Sequence, residues 1–108
     1  MKFSFSLDPV EELKDLVLHV KAEYFYQMQS GEKHYEYRLD NERWQKRLEG
    51  RKYKNLIICL GYPKKDDTSR RLVFPYCGYI RRTITHEHFG DKPVIVFAIL
   101  IDHNRRIQ

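Results

Sequence analysis

A chain of 108 residues with 42% hydrophobic and 14% aromatic content can bury one core and is too short for two ordinary domains. Its formal charge of +5, from 20 basic and 15 acidic residues, favours polyanionic partners such as nucleic acid, with plain solubility charge as the alternative. The longest apolar run, VIVFAILI from Val94 to Ile101, is far short of the roughly 20 residues a membrane-spanning helix needs, so no membrane partner is expected.

In chain order, residues 1–15 mix an alternating start, a proline and a short acidic segment, and are read as an N-terminal extension to a domain over 16–108. No stretch combines a basic start, an apolar run and a small-residue cleavage site, so a secretory signal is not expected. LVLHVK from Leu16 is a β-rich run, and AEYFYQMQS after it places Tyr24, Phe25 and Met28 at helical spacing before Gly31 stops the helix. KHYEYR then alternates, which predicts a strand with Tyr35 and Tyr37 turned inward and His34, Glu36 and Arg38 outward.

DNERWQKRLEG reads as a second helix, capped by Asp40 or Asn41, with Glu42 at its positive end, Gly50 closing it, and Trp44 and Leu48 as its buried stripe. Strands follow at NLIICLGY, at RRLVFPYCGYIRRTIT with a break at Pro75 or Gly78, and at KPVIVFAILI. PKKDDTSR, between the first two, is an exposed loop by composition. Five or so strands with two short, early helices predict an α+β fold whose sheet curls into a small barrel, because few helices remain to cover its faces. Cys59 and Cys77 lie in apolar stretches and form no CxxC pair, which predicts buried, reduced thiols and a cytoplasmic protein.

Gly31, Lys33, Glu36 and Arg38 spell GxKxxExR directly after a strand and a short helix carrying Tyr24 and Phe25. In this setting the pattern resembles the signature of the ASCH family, whose members are similar to the PUA domain of RNA-modifying proteins. The resemblance runs on through RWQKRLEG, LGYPKKDDTSRR, VFPYCGY and THEHFG, and covers roughly residues 16–101. It implies a PUA-like β-barrel of about five or six strands with short helices at its openings, and a cleft for RNA or nucleotide ligands. Family members include RNA-binding modules, and others hydrolyse RNA or acylated cytidine. The hydrolases of acylated cytidine carry GxKxxTxR, so Lys33 and Arg38 match them and Glu36, standing where they have threonine, does not. A carboxylate there would activate water rather than attack as a hydroxyl nucleophile does.

Within such a cleft Lys33 would contact a phosphate, a carbonyl oxygen or a developing oxyanion, Glu36 would act as general base or base-edge acceptor, and Arg38 would orient Glu36 or clamp phosphate. The plain alternative is a surface ion pair with a solvated lysine. Arg43 and Arg47, one helical turn apart and on a side distinct from Trp44 and Leu48, would track a phosphate backbone, a stripe that Lys64, Lys65, Arg70, Arg71, Arg81 and Arg82 would extend. Exposed aromatics such as Tyr62 or Tyr76 would stack a base.

THEHFG puts His86 and His88 either side of Glu87, but HxH without further ligands makes no zinc site, and a turn placing a histidine near the cleft is expected instead. No metal or other cofactor is called for, and no phosphate-binding loop or dinucleotide fingerprint is present. The leading expectation is therefore a binder of single-stranded RNA, a nucleotide or a nucleoside. The rival is a hydrolase using the same three residues, either an amidohydrolase on an acylated cytidine or a metal-independent ribonuclease.

Overall fold

Residues 13–108 are described by a computed structural model. The chain order is β1 (Leu16–Val20), α1 (Ala22–Gln29), β2 (Tyr35–Leu39), α2 (Glu42–Leu48), β3 (Asn55–Leu60), β4 (Arg71–Pro75), β5 (Tyr79–Ile84) and β6 (Val94–Leu100). This is a small α+β fold with its strands in two sheets, ordered β1-β3-β4 and β2-β6-β5. Most of the extension read over residues 1–15 lies outside the described residues. Its last two residues belong to the domain, since the Lys54 amide donates to the Lys14 carbonyl and the Asn55 amide to the Asp15 carboxylate.

Burial follows position in each sheet. β6, central and flanked on both edges, is buried at Val96, Phe97, Ala98 and Ile99 alike, which explains its unbroken apolar sequence. β1, at an edge, keeps the alternation of a strand with one face inward: Leu16, Leu18 and Val20 are buried and His19 is exposed. α1 sends Phe25 and Met28 into the same core, and α2 adds Leu48 with Trp44 packed half-buried beside it. Asn41 rather than Asp40 caps α2, its side chain accepting from the Trp44 amide.

The expected ring of strands is not closed by backbone pairing among the described residues; side chains hold the seam instead. β1 runs parallel to β3, and the carbonyls of Lys14 and Val20 face that partner. By the alternation of a strand, the carbonyls of Val17 and His19 face the other way, where no strand pairs with β1 among the described residues. Arg47 from α2 donates to the Val17 carbonyl at 3.3 Å, and Arg38 from β2 donates to the His19 carbonyl at 3.1 Å. Two arginines thus satisfy the acceptors of an edge that would otherwise be open to pairing with another chain. The far edge of β4 is covered by the last residues, Ile107 and Gln108, bonded to the backbone of Val73.

The inward and outward sets on β2 are the reverse of the sequence expectation. Register sets Glu36 opposite Ile99 and Arg38 opposite Phe97, on the core face, while Tyr35 and Tyr37 share the outer face with Ala98 and Leu100. Glu36 is 4% exposed, the sole buried charged residue among those described. The thiols also differ from expectation in one respect: both are unpaired, but only Cys59 is buried, and Cys77 is half-buried with its sulfur 3.0 Å from an Arg105 nitrogen.

Candidate functional site

The strand-edge position of β2 and the turn before it build one cavity. After α1, Gly31 takes φ of +87°, a conformation that costs other residues strain, and reverses the chain. Lys33 is then held at both backbone groups: its amide donates to the Gln27 carbonyl and its carbonyl accepts from the His103 ring. Two residues into β2, Glu36 points into the protein, and Arg38 follows on the same face.

The three side chains meet. Arg38 Nη2 lies 3.1 Å from Glu36 Oε2, and Lys33 Nζ lies 4.0 Å from Glu36 Oε1. The Tyr37 amide also donates to Glu36 Oε1. Lys33 Nζ sits 4.5 Å from the centre of the Tyr37 ring and 5.3 Å from that of Tyr24, so an ammonium with few waters is compensated by one carboxylate and two π faces. The Arg38 guanidinium lies 5.1 Å from the Trp44 ring centre, and its buried Nε has no hydrogen-bond partner among the described residues.

These groups floor a cavity of about 140 Å³ walled by Tyr24, Tyr37, His86, His88 and Phe89, with His19 and Lys21 at its rim. The walls come from α1, from the edge of β2 and from the THEHFG turn, in which His86 Nδ1 accepts from the His88 amide. Burial shifts Glu36, Lys33, Tyr24 and His88 towards their neutral forms. It raises the Glu36 carboxyl, against the pull of Arg38 and Lys33, and lowers the Lys33 ammonium, with Glu36 opposing. Burial also raises the Tyr24 phenol and lowers His88, so both stand as neutral hydrogen-bonding groups at pH 7. With Glu36 ionised, two cations against one carboxylate leave the floor with one net positive charge. A ligand carrying both a hydrogen-bond donor and an anionic group is matched by that pattern.

The other sequence candidates divide. Arg43 is exposed on α2, 5.4 Å from the Trp44 ring centre, and Arg47 approaches the same ring at 4.7 Å. They therefore flank Trp44 instead of occupying a separate side, and Arg47 is held half-buried by its bond to Val17. Tyr62 is 85% exposed, and Lys64 and Arg70 are exposed beside it, Arg70 pairing with Asp67 at 3.3 Å. Arg71 fixes that loop by donating to the carbonyls of Lys64 and Asp67, and Arg81 is bound to Asp40 and Glu49. Tyr76 is half-buried against the core and 5.2 Å from Tyr53, which removes it as an open stacking face.

Sequence reasoning missed the wall formed by Tyr24 and Tyr37 and the rim at His19. The available signal for His19 was its polar character at the one exposed position of an otherwise apolar strand. No family model, no curated protein and no solved structure matches the chain.

Proposed function

We propose that the cavity receives one base of single-stranded RNA or of a free nucleotide, in an ASCH-type, PUA-like domain working in the cytoplasm. The observation that carries this reading is the buried Glu36 carboxylate, held by two cations at the floor of an aromatic-walled cavity. A carboxylate oxygen accepts from the exocyclic amine of cytosine or adenine, the aromatic walls of Tyr24, Tyr37, His86 and Phe89 enclose the ring, and the surplus positive charge takes the phosphate. The two sheets, with their arginine-held seam between β1 and β2, support a barrel-like reading of the fold.

The test is titration of cytidine monophosphate and of short single-stranded RNA, at two salt concentrations, into the protein and its Glu36→Gln and Lys33→Ala variants. Glu36→Gln keeps one acceptor oxygen but removes the charge, and it puts an NH2 donor against either the base amine or the two cations; with a base-edge contact worth about 1–3 kcal/mol, it is expected to weaken cytidine binding roughly ten-fold. Equal affinities for protein and variant would overturn the reading.

A second reading, hydrolysis, is favoured by the opposed shifts of Glu36 and Lys33, since paired groups displaced towards neutrality are the usual equipment of acid–base chemistry. On an N4-acylated cytidine, Glu36 would take a proton from water as its oxygen bonds to the acyl carbon, and Lys33 would balance the oxyanion. Collapse would break the carbon–nitrogen bond, with Glu36 returning the proton to the departing amine. Incubation with N4-acetylcytidine in the presence of a chelator distinguishes the two: free cytidine and acetate, abolished in Lys33→Ala, mark an enzyme, and binding without products marks a module.

A further inference from the structure

Beside the cavity lies a second, open depression of about 690 Å³ whose lining includes Lys21, Tyr26, Tyr62, Ser69 and Arg70. Val20 and Lys21 line both spaces, so the two spaces lie side by side. One residue joins them structurally. The His19 carbonyl accepts from Arg38 at the cavity floor, while its ring stacks on Tyr62 with centres 4.2 Å apart and planes 19° from parallel. His19 Nδ1 lies 2.8 Å from the Gly61 carbonyl, an acceptor only, so the nitrogen carries the proton and the bond fixes the ring's rotation.

The consequence for Tyr62 is unusual for so exposed a side chain. A tyrosine 85% exposed on a loop ordinarily samples several rotamers; this one is backed by an anchored imidazole over one face. Its orientation is therefore biased towards the stacked one while most of its surface remains open. Lys21, with no carboxylate within salt-bridge distance among the described residues, places positive charge on the same depression, and Arg70 lines it too, its guanidinium shared with Asp67. An aromatic face beside cationic side chains, next to a base-sized cavity, is the arrangement that single-strand binders use for successive nucleotides.

We infer that Tyr62, backed by His19, is a stacking platform for the nucleotide adjacent to the one in the cavity, which makes the ligand a single strand of at least two nucleotides. The inference rests on the base-binding reading of the cavity and specifies its substrate class. A free mononucleotide leaves the platform empty, whereas a strand enters the cavity with one base and lays its neighbour on Tyr62, the connecting phosphate passing Lys21.

The test compares two trinucleotides of identical charge: CpCpC, and the same backbone with abasic residues on both sides of the central cytidine. Phosphate contacts cancel, so the ratio of their affinities reads flanking-base stacking. In the unaltered protein CpCpC is expected to bind roughly ten-fold more tightly than the abasic-flanked strand, the ratio falling to about one in Tyr62→Ala and recovering in Tyr62→Trp. Measurable binding with a ratio near one in the unaltered protein overturns the platform and leaves the cavity reading standing. A ratio that persists in Tyr62→Ala likewise overturns it, by placing the stacking elsewhere. If neither trinucleotide binds, the cavity reading fails and the platform falls with it.

Discussion

At the scale of single residues, Glu36 faces a conflict between burial, which opposes its charge, and two cations, which favour it. If the carboxylate form accepts the base's amine, binding is present above its pKa and is lost as pH falls through it. Burial raises that pKa above the ordinary 4.5, so the acid limb of a binding profile is expected at higher pH than an exposed glutamate would give. Lys33 contributes while protonated, and its depressed pKa brings the alkaline limb below 10.5. A bell narrowed from both sides is expected by calorimetry across pH, and Glu36→Gln should abolish its acid limb.

Arg38 serves the site and the fold together. Arg38→Ala removes both an ion partner of Glu36 and a donor to the β1 edge, and a destabilisation of about 2–4 kcal/mol is expected in urea unfolding, less than at a fully buried pair. Arg38→Lys keeps the charge but not the two-way fork, and should fall between.

Among elements, α2 shows what sequence can and cannot specify. Its cap candidates, its acidic first turn and its Leu48 contact all follow from local chemistry, and Asn41→Ala is expected to cost about 1 kcal/mol, read as a lower midpoint when denaturant unfolding is followed by Trp44 fluorescence. β2 shows the opposite. Alternation separates Tyr35 and Tyr37 from Glu36 and Arg38, but which pair faces inward depends on register against β6, sixty residues away. Hydrophobicity argued for the tyrosines; pairing places a glutamate opposite Ile99 instead. The grouping of Lys33, Glu36 and Arg38 was legible because they are neighbours in one short segment. The THEHFG turn brings a histidine near the cleft, as its sequence predicts, but the aromatic walls were not legible, since Tyr24 from α1 and Phe89 from that turn reach the cavity only through tertiary packing.

For the molecule as a whole, two sheets share a core in which Phe97 and Phe74, from the two sheets, are both 0% exposed. Phe97→Ala is expected to cost about 3–5 kcal/mol by leaving a cavity there. Positive charge is distributed unevenly in its availability: Arg47, Arg71 and Arg81 are engaged in holding backbone or carboxylates, whereas Lys21, Arg43 and Lys64 lie exposed. Nucleic-acid affinity should therefore depend on salt less steeply than the formal charge suggests. Each phosphate contacted on a single strand contributes a slope of about 0.7 in log affinity against log salt, and a few contacts imply a slope near two.

The most direct measurement is titration of the isotope-labelled protein with cytidine monophosphate, followed by amide and side-chain NMR shifts. Perturbations concentrated at Lys33 to Arg38, at Tyr24 and at His86 to Phe89 are the result expected of a base seated over Glu36. Shifts confined to the exposed face of α2 around Arg43, with the cavity residues unmoved, would contradict it.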